Sequence, residues 1–319
     1  MKKALVILGP TSTGKTDVAL NLAKKFNGEL ISCDSRQVYK NLDIGTGKLP
    51  TKKVDIEKHD KFWVLDGVKI WMYDVISPKK QYTIFNYLTD AQKIIDEIYQ
   101  KGKLPIIVGG SGLYLKALLK GLANLEIPVD RKLRKELESL TLEQLQGKLK
   151  VLSLAKWKLL NRSDQQNSRR LIRAIELIML SPFKKKNTFS KGLAAKYHVL
   201  KIGLTASKEY LYKRVDQRVI LRIKAGMIEE AKQLQKNGLS LKRMRKLGLE
   251  YGVLADYLEG NITTVKELET TLQNKIHKYV RRQQTWYKKE TGVIWFNITE
   301  AETLDKLEKR VYRWYHELK

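Results

Sequence analysis

The chain has 319 residues, enough for one large core or two units, and its 43% hydrophobic and 30% charged residues are the make-up of a globular protein. No apolar run approaches the roughly 18 residues of a membrane span, and one cysteine, Cys33, with four histidines supplies neither an internal disulfide nor a usual zinc finger. The net charge of +28 is uneven: residues 131–200 hold 17 Lys/Arg against 5 Asp/Glu and residues 201–290 hold 20 against 10, so a polyanion is expected along that stretch, a uniformly lysine-rich surface being the bland alternative.

From the start of the chain, Met1-Lys2-Lys3 is basic, but the apolar residues 4–8 are too few for a signal-peptide core and run straight into a glycine motif. They predict a first buried strand, and the single cysteine points to a reduced, cytoplasmic protein. Gly9-Pro10-Thr11-Ser12-Thr13-Gly14-Lys15-Thr16 then has the P-loop pattern, between a strand and a helix predicted over 17–26. Such a loop turns backbone N–H groups around a phosphate, adds the positive end of a helix, supplies the Lys15 charge and offers the Thr16 hydroxyl to magnesium. It reads phosphates alone, and ATP is the default among its ligands.

Further strand-like runs cover 29–33, 70–76, 104–108, 200–204 and 293–296, with a helix over 87–101. Strands alternating with helices predict an α/β fold: a P-loop NTPase-like parallel sheet with helices on both faces. Residues 130–189 lack strand signals and are basic, with helical patterning over 131–140 and 168–180. They are expected to form an inserted helical lobe, leaving 1–129 and 190–319 as the core. Lys184-Lys185-Lys186 reads as a solvated loop, and 207–289 is again helical and rich in Arg, Lys and aromatics.

After the second predicted strand comes Asp34-Ser35-Arg36-Gln37-Val38-Tyr39, then Asp43-Ile44-Gly45-Thr46-Gly47-Lys48. Open α/β sheets bind ligands at the carboxyl ends of their strands, so Asp34 is placed to reach a reacting group, unless it is a turn or cap aspartate. Val108-Gly109-Gly110-Ser111-Gly112-Leu113-Tyr114 repeats the arrangement after another strand. Arg214 and Arg218 share a helix face at i and i+4, either as phosphate ligands or as decoration of a basic helix.

Taken in order, Gly-Pro-Thr-x-x-Gly-Lys-Thr, Asp-Ser-x-Gln-Val-Tyr, Asp-Ile-Gly-Thr-x-Lys and Gly-Gly-Ser-Gly-Leu-Tyr resemble the tRNA dimethylallyltransferase family, in its bacterial type without a zinc finger. Arg169 to Glu176, Arg214-Val215-Asp216-Gln217-Arg218, Met227 to Glu230 and Arg281 to Trp286 extend the resemblance across nearly the whole chain. It implies that the P-loop, Gly9 to Thr16, holds dimethylallyl diphosphate rather than ATP, with magnesium as the cofactor. Lys15, Arg214 and Arg218 would lie on the diphosphate. Asp34 would act as general base, with Ser111 standing where the family usually has threonine.

The resemblance further implies contacts to the anticodon stem-loop of tRNA from Asp34, Ser35, Arg36, Gln37, Ser111, Arg134, Gln165, Gln166, Asn167, Ser168, Arg169, Lys246, Gly248, Arg281, Arg282 and Gln283. The target would be the adenosine immediately following the anticodon, and the enzyme a monomer with no membrane attachment. One departure stands out: Lys246-Leu247-Gly248-Leu249-Glu250-Tyr251 replaces an Ile-Gly-Tyr-Lys-Glu-like segment. Competing readings are an enzyme that prenylates free adenine nucleotides, a small-molecule kinase, and a nucleic-acid-binding module without catalysis. The first of these would need no basic grip.

Overall fold

The computed structural model describes residues 2–50, 54–122, 124, 125, 127, 129–180 and 192–317. The chain divides into two units, Met1–Leu119 with Leu193–Lys319, and Lys120–Gly192. The inserted segment thus begins at residue 120 rather than at the expected 130. The physical reason lies in Arg173, whose Nη2 donates to the carbonyls of Asn124 and Ile127 at 2.9 and 3.1 Å and ties the connecting stretch to the helices that follow. The Lys184–Lys186 run lies outside the described residues.

The first unit is built on eight strands: β1 (Lys2–Leu8), β2 (Gly28–Ser32), β3 (Ile56–His59), β4 (Phe62–Leu65), β5 (Val68–Trp71), β6 (Leu104–Val108), β7 (Tyr197–Thr205) and β8 (Val293–Asn297), in the order β3-β4-β5-β2-β6-β1-β7-β8. From β5 to β8 all neighbours are parallel, whereas β3-β4 and β4-β5 are antiparallel. The expected all-parallel sheet therefore carries an antiparallel edge. Central strands such as β1 and β6 are continuous apolar runs because both faces are covered. The predicted strand over 70–76 stops at Trp71. Beyond it Met72 and Asp74 take positive φ of 69° and 53°, which turns the Asp74 carboxylate onto Lys48 Nζ at 2.5 Å and Trp63 Nε1 at 2.7 Å.

Helix α1 (Lys15–Lys25) connects β1 to β2 and α2 (Ile84–Gln100) connects β5 to β6. These crossovers run in opposite directions along the sheet, so right-handed connections put the two helices on opposite faces. Helix α14 (Thr303–His316) joins α1: Leu307, Val311 and Trp314 share a buried cluster with Val18, Leu22, Leu5, Ile106 and Ile202. Full burial of each such aliphatic side chain contributes roughly 1.5–3 kcal/mol. Helix α3 (Gly112–Lys120) follows β6. After β7 come α9 (Lys208–Lys224), α10 (Met227–Lys236), α11 (Leu241–Met244), α12 (Leu249–Leu258) and α13 (Val265–Tyr287).

The second unit holds α4 (Arg131–Glu138), α5 (Leu142–Leu152), α6 (Leu154–Leu159), α7 (Arg162–Gln165) and α8 (Ser168–Met179) around Leu137, Leu145, Leu149, Leu171 and Ile175. Each starts on a side-chain cap: Asp130, Thr141, Ser153, Asn161 and Asn167. Among the described residues no helix is long and apolar enough to cross a membrane. Cys33 is a buried free thiol.

Candidate active site

The sheet order places β6 between β1 and β2, so the turns after all three strands meet at one carboxyl edge. A cleft of about 770 Å³ opens there, lined by the P-loop, Asp34 to Gln37, Gly109 to Ser111 and side chains of α9, α12 and α13. Gly14, at φ 79°, turns the P-loop into α1, whose first N–H groups have no helical partner. Lys15 Nζ donates to the Pro10 carbonyl at 2.6 Å and Thr13 Oγ1 to the same oxygen at 2.9 Å. Burial first, and the Arg218 guanidinium second, lower the Lys15 pKa to about 7, while Asp34 opposes them.

Asp34 Oδ1 accepts from the Arg36 N–H at 2.8 Å, a turn that holds the carboxylate at the strand end. Ser111 Oγ accepts from the Ser35 N–H at 3.1 Å, and the Ser111 N–H donates to the Cys33 carbonyl at 3.2 Å, so the turns after β2 and β6 are pinned together. Gln37 is engaged at both ends of its amide: Ser32 Oγ donates to its Oε1 at 2.6 Å and its Nε2 donates to the Gly47 carbonyl at 3.4 Å. It braces the Asp43–Lys48 loop. Arg36 crosses Gly248, where a Cβ would lie 2.9 Å from its Nε, and donates to the Lys246 carbonyl at 3.5 Å. Any side chain at Gly248 would push Arg36 aside.

Arg218 Nη1 donates to Thr11 Oγ1 at 3.0 Å, which sets its guanidinium against the P-loop. Burial, and next to it Arg222, lower the Arg218 pKa to about 9. Arg214 stacks on Tyr210, 5.8 Å from the ring centre, and lines the same cleft. Gln283 is buried, accepting from the Thr11 N–H at 2.9 Å and donating to the Gly110 carbonyl at 3.0 Å. Arg282 lines the cleft and Arg281 is exposed.

Six of the expected tRNA contacts belong to the second unit. Arg134 grips the fully buried Glu176 through Nε at 2.7 Å and Nη2 at 2.5 Å. Gln165 Nε2 donates to the carbonyls of Trp157 and Leu160, and Asn167 caps α8. Gln166, Ser168 and Arg169 are exposed.

A family model described as IPP transferase matches residues 37–290. The chain belongs to the IPP transferase family. It is 37% identical over 290 residues to tRNA dimethylallyltransferase 2 of Treponema denticola, covering 90% of this chain and 91% of that protein. With the tRNA dimethylallyltransferase of Acetivibrio thermocellus the identity is 34% over 317 residues, covering 98% and 96%. The crystal structure of the full-length tRNA isopentenylpyrophosphate transferase from Bacillus halodurans matches with a TM-score of 0.69 at 31% identity, over 99% of this chain and 97% of that one. A eukaryotic dimethylallyltransferase acting on tRNA shares the fold, with a TM-score of 0.77 at 23% identity, over 98% and 78%.

For a metal the IPP transferase cleft offers few protein oxygens. Among the described residues no group of three or more His, Cys, Asp or Glu converges on one point. Thr16 lines the cleft with the carboxylates of Asp17 and Asp34. That donor set fits magnesium, which keeps most of its water and takes further oxygens from a phosphate. The sequence reading missed Arg222, one helical turn beyond Arg218, and Glu230, whose carboxylate accepts from the N–H groups of Asp43 and Ile44 at 2.8 Å and of Gly45 at 3.1 Å. For Arg222 the signal was present as a third arginine at the same i+4 spacing.

Proposed function

We propose that the protein transfers a dimethylallyl group from dimethylallyl diphosphate to the exocyclic amine of the adenosine immediately following the anticodon in tRNA, acting as a cytoplasmic monomer. The observation that carries this reading is that Lys15, Arg218 and Asp34 line one cleft, with Asp34 acting electrostatically on both cations.

The P-loop N–H groups and Lys15 bind the diphosphate, and Arg218 steadies the charge that grows on it as the carbon–oxygen bond breaks. The adenine amine attacks the allylic carbon and gives its proton to Asp34. Magnesium held through Thr16 would supply additional charge neutralisation at the phosphate oxygens when bound. The tRNA contacts expected from the helical unit fall to exposed side chains such as Lys158, Arg162 and Arg169, because Arg134 and Gln165 are engaged internally. Extruding the target base costs a few kcal/mol, which a basic grip on stem phosphates offsets.

Product analysis tests the reading: purified protein, unmodified tRNA, dimethylallyl diphosphate and magnesium, with ATP omitted. Prenylated adenosine at the position after the anticodon is the expected product. Modification only when ATP is supplied, or of free adenine nucleotides alone, would overturn it.

A further inference from the structure

Helix α9 carries three arginines on one face, and two of them stand in an arrangement that the chain itself leaves electrostatically incomplete. Gly47 has φ 69°, and a Cβ built there would lie 1.9 Å from Arg222 Nη2 and 2.2 Å from Arg218 Nη2. The two cationic nitrogens therefore lie within about 4 Å of each other, a repulsive distance for like charges. Among the described residues Arg218 forms no ion pair, and Arg222 forms one, with Glu250 Oε1 at 3.5 Å. Arg222 is only 12% exposed, and its Nη1 donates to the Gly45 carbonyl at 3.1 Å.

The loop that brings Gly47 between the two guanidinium groups is fixed from both sides. Glu230 gathers three consecutive N–H groups at its start and also accepts from the Tyr251 hydroxyl at 2.5 Å. At its end the fully buried Lys48 holds Asp43 at 2.9 Å and the Tyr39 carbonyl at 2.7 Å. Two arginines held this close by a rigid loop make a fork for an anion with more than one charged oxygen.

We propose that Arg222 is a further guanidinium contact to the diphosphate, beside Arg218, and that Glu250 is the internal carboxylate from which the diphosphate takes it over. The inference rests on the reading of the cleft as an allyl diphosphate site. A diphosphate gains charge as its ester bond to carbon breaks, so a further cation beside Lys15 and Arg218 stabilises the leaving group more than the bound ester. Burial, its largest influence, lowers the Arg222 pKa while Glu250 raises it, the pattern of a charge kept in place by a partial counter-ion.

The test is calorimetric binding of inorganic pyrophosphate with magnesium to the full-length wild type, Arg222→Met, Arg222→Lys and Glu250→Gln, with tRNA affinity and thermal midpoints measured alongside. Arg222→Met is expected to weaken pyrophosphate binding about 10- to 100-fold, with Arg222→Lys between it and wild type. Glu250→Gln is expected to tighten binding by about twofold or more, since it removes the competing carboxylate. The opposite signs matter, because an ion pair that only holds the fold together would weaken binding in both variants.

An Arg222→Met affinity within about threefold of wild type overturns the contact, and unchanged or weaker binding by Glu250→Gln overturns the exchange. Should Arg222→Met fail to fold, Arg222→Lys and Glu250→Gln decide by the same signs. A wild type that binds no pyrophosphate sinks the reading of the cleft itself, which is a different failure from normal wild-type binding that Arg222 does not influence.

Discussion

In the cleft, Arg218 forms no ion pair among the described residues, and Arg222 meets Glu250 at 3.5 Å. In the helical unit, Arg134 and Arg173 both grip Glu176, and Arg170 pairs with Asp164. The two regions were equally basic to the eye, yet their arginines serve different ends. Those of the cleft are crowded together and partly unbalanced, which suits them to a multiply charged ligand. Arg134, Arg170 and Arg173 of the helical unit are balanced within it and hold its helices and its entry segment in place. Net positive charge alone therefore does not identify a binding residue; the state of its counter-ion does.

The largest way to break this contrast is at Asp34, a carboxylate of the cleft. Asp34→Asn keeps size and removes the carboxylate proposed to accept the amine proton, so the single-turnover rate at saturating substrates should fall roughly 100- to 10,000-fold. Separate titrations should find both substrates still bound. A rate within about threefold of wild type would leave Asp34 a turn-forming residue.

Next in size is Glu176→Gln, which leaves two arginines without their shared carboxylate. Both are about a third exposed, so water offsets part of the loss, and about 2–3 kcal/mol of stability is expected to go, read by urea unfolding and by faster amide exchange in α4 and α8. Unchanged stability would mean that the pairing does not organise the helical unit.

A smaller effect concerns pH. With the Lys15 pKa lowered to about 7, the free protein loses this cation as pH rises through 7, and only the cationic form attracts the diphosphate. Pyrophosphate binding should thus weaken with rising pH, by up to roughly tenfold per unit, with proton uptake on binding. Lys15→Met should lack the part of the slope that is not the titration of pyrophosphate itself. Identical slopes for the two proteins would remove Lys15 as its source.

The smallest effect belongs to the exposed charges of the helical unit. Lys158→Ala with Arg169→Ala should weaken tRNA binding a few-fold, similarly for different tRNAs, and reduce the salt dependence by about one unit of slope per residue. Arg134→Ala should leave that slope alone while lowering stability. If Arg134 changes the slope and the exposed pair does not, the assignment of contacts is reversed.

The parts of the fold legible in the sequence were those with one dominant local signal. The cores of β1 and β6 are continuous apolar runs, and the P-loop glycines leave the chain little choice of path. Less legible was the antiparallel edge: β3 and β4 are four residues each, and Ile56-Glu57-Lys58-His59 carries mostly charged or polar side chains. Its partner strands, not its own composition, make it a strand. The cleft shows the same division. Asp34, Lys15 and Arg218 announced themselves by motif and spacing. Less legible were the internal bonds of two glutamines: Gln37 joins the Ser32 hydroxyl to the Gly47 carbonyl, and Gln283 joins Thr11 to Gly110, groups that only the fold brings together.

Gln283 also has a consequence for how the protein comes into being. The ribosome makes the P-loop well before α13, and the amide that joins Thr11 to Gly110 is made 272 residues after Thr11. β1 likewise waits for β6 and β7, its two neighbours in the sheet. A nascent or truncated chain that ends before residue 283 has every residue of the phosphate loop and lacks the strut that sets it against the turn after β6. Vectorial synthesis thus delays the competent pocket until α13 has left the exit tunnel.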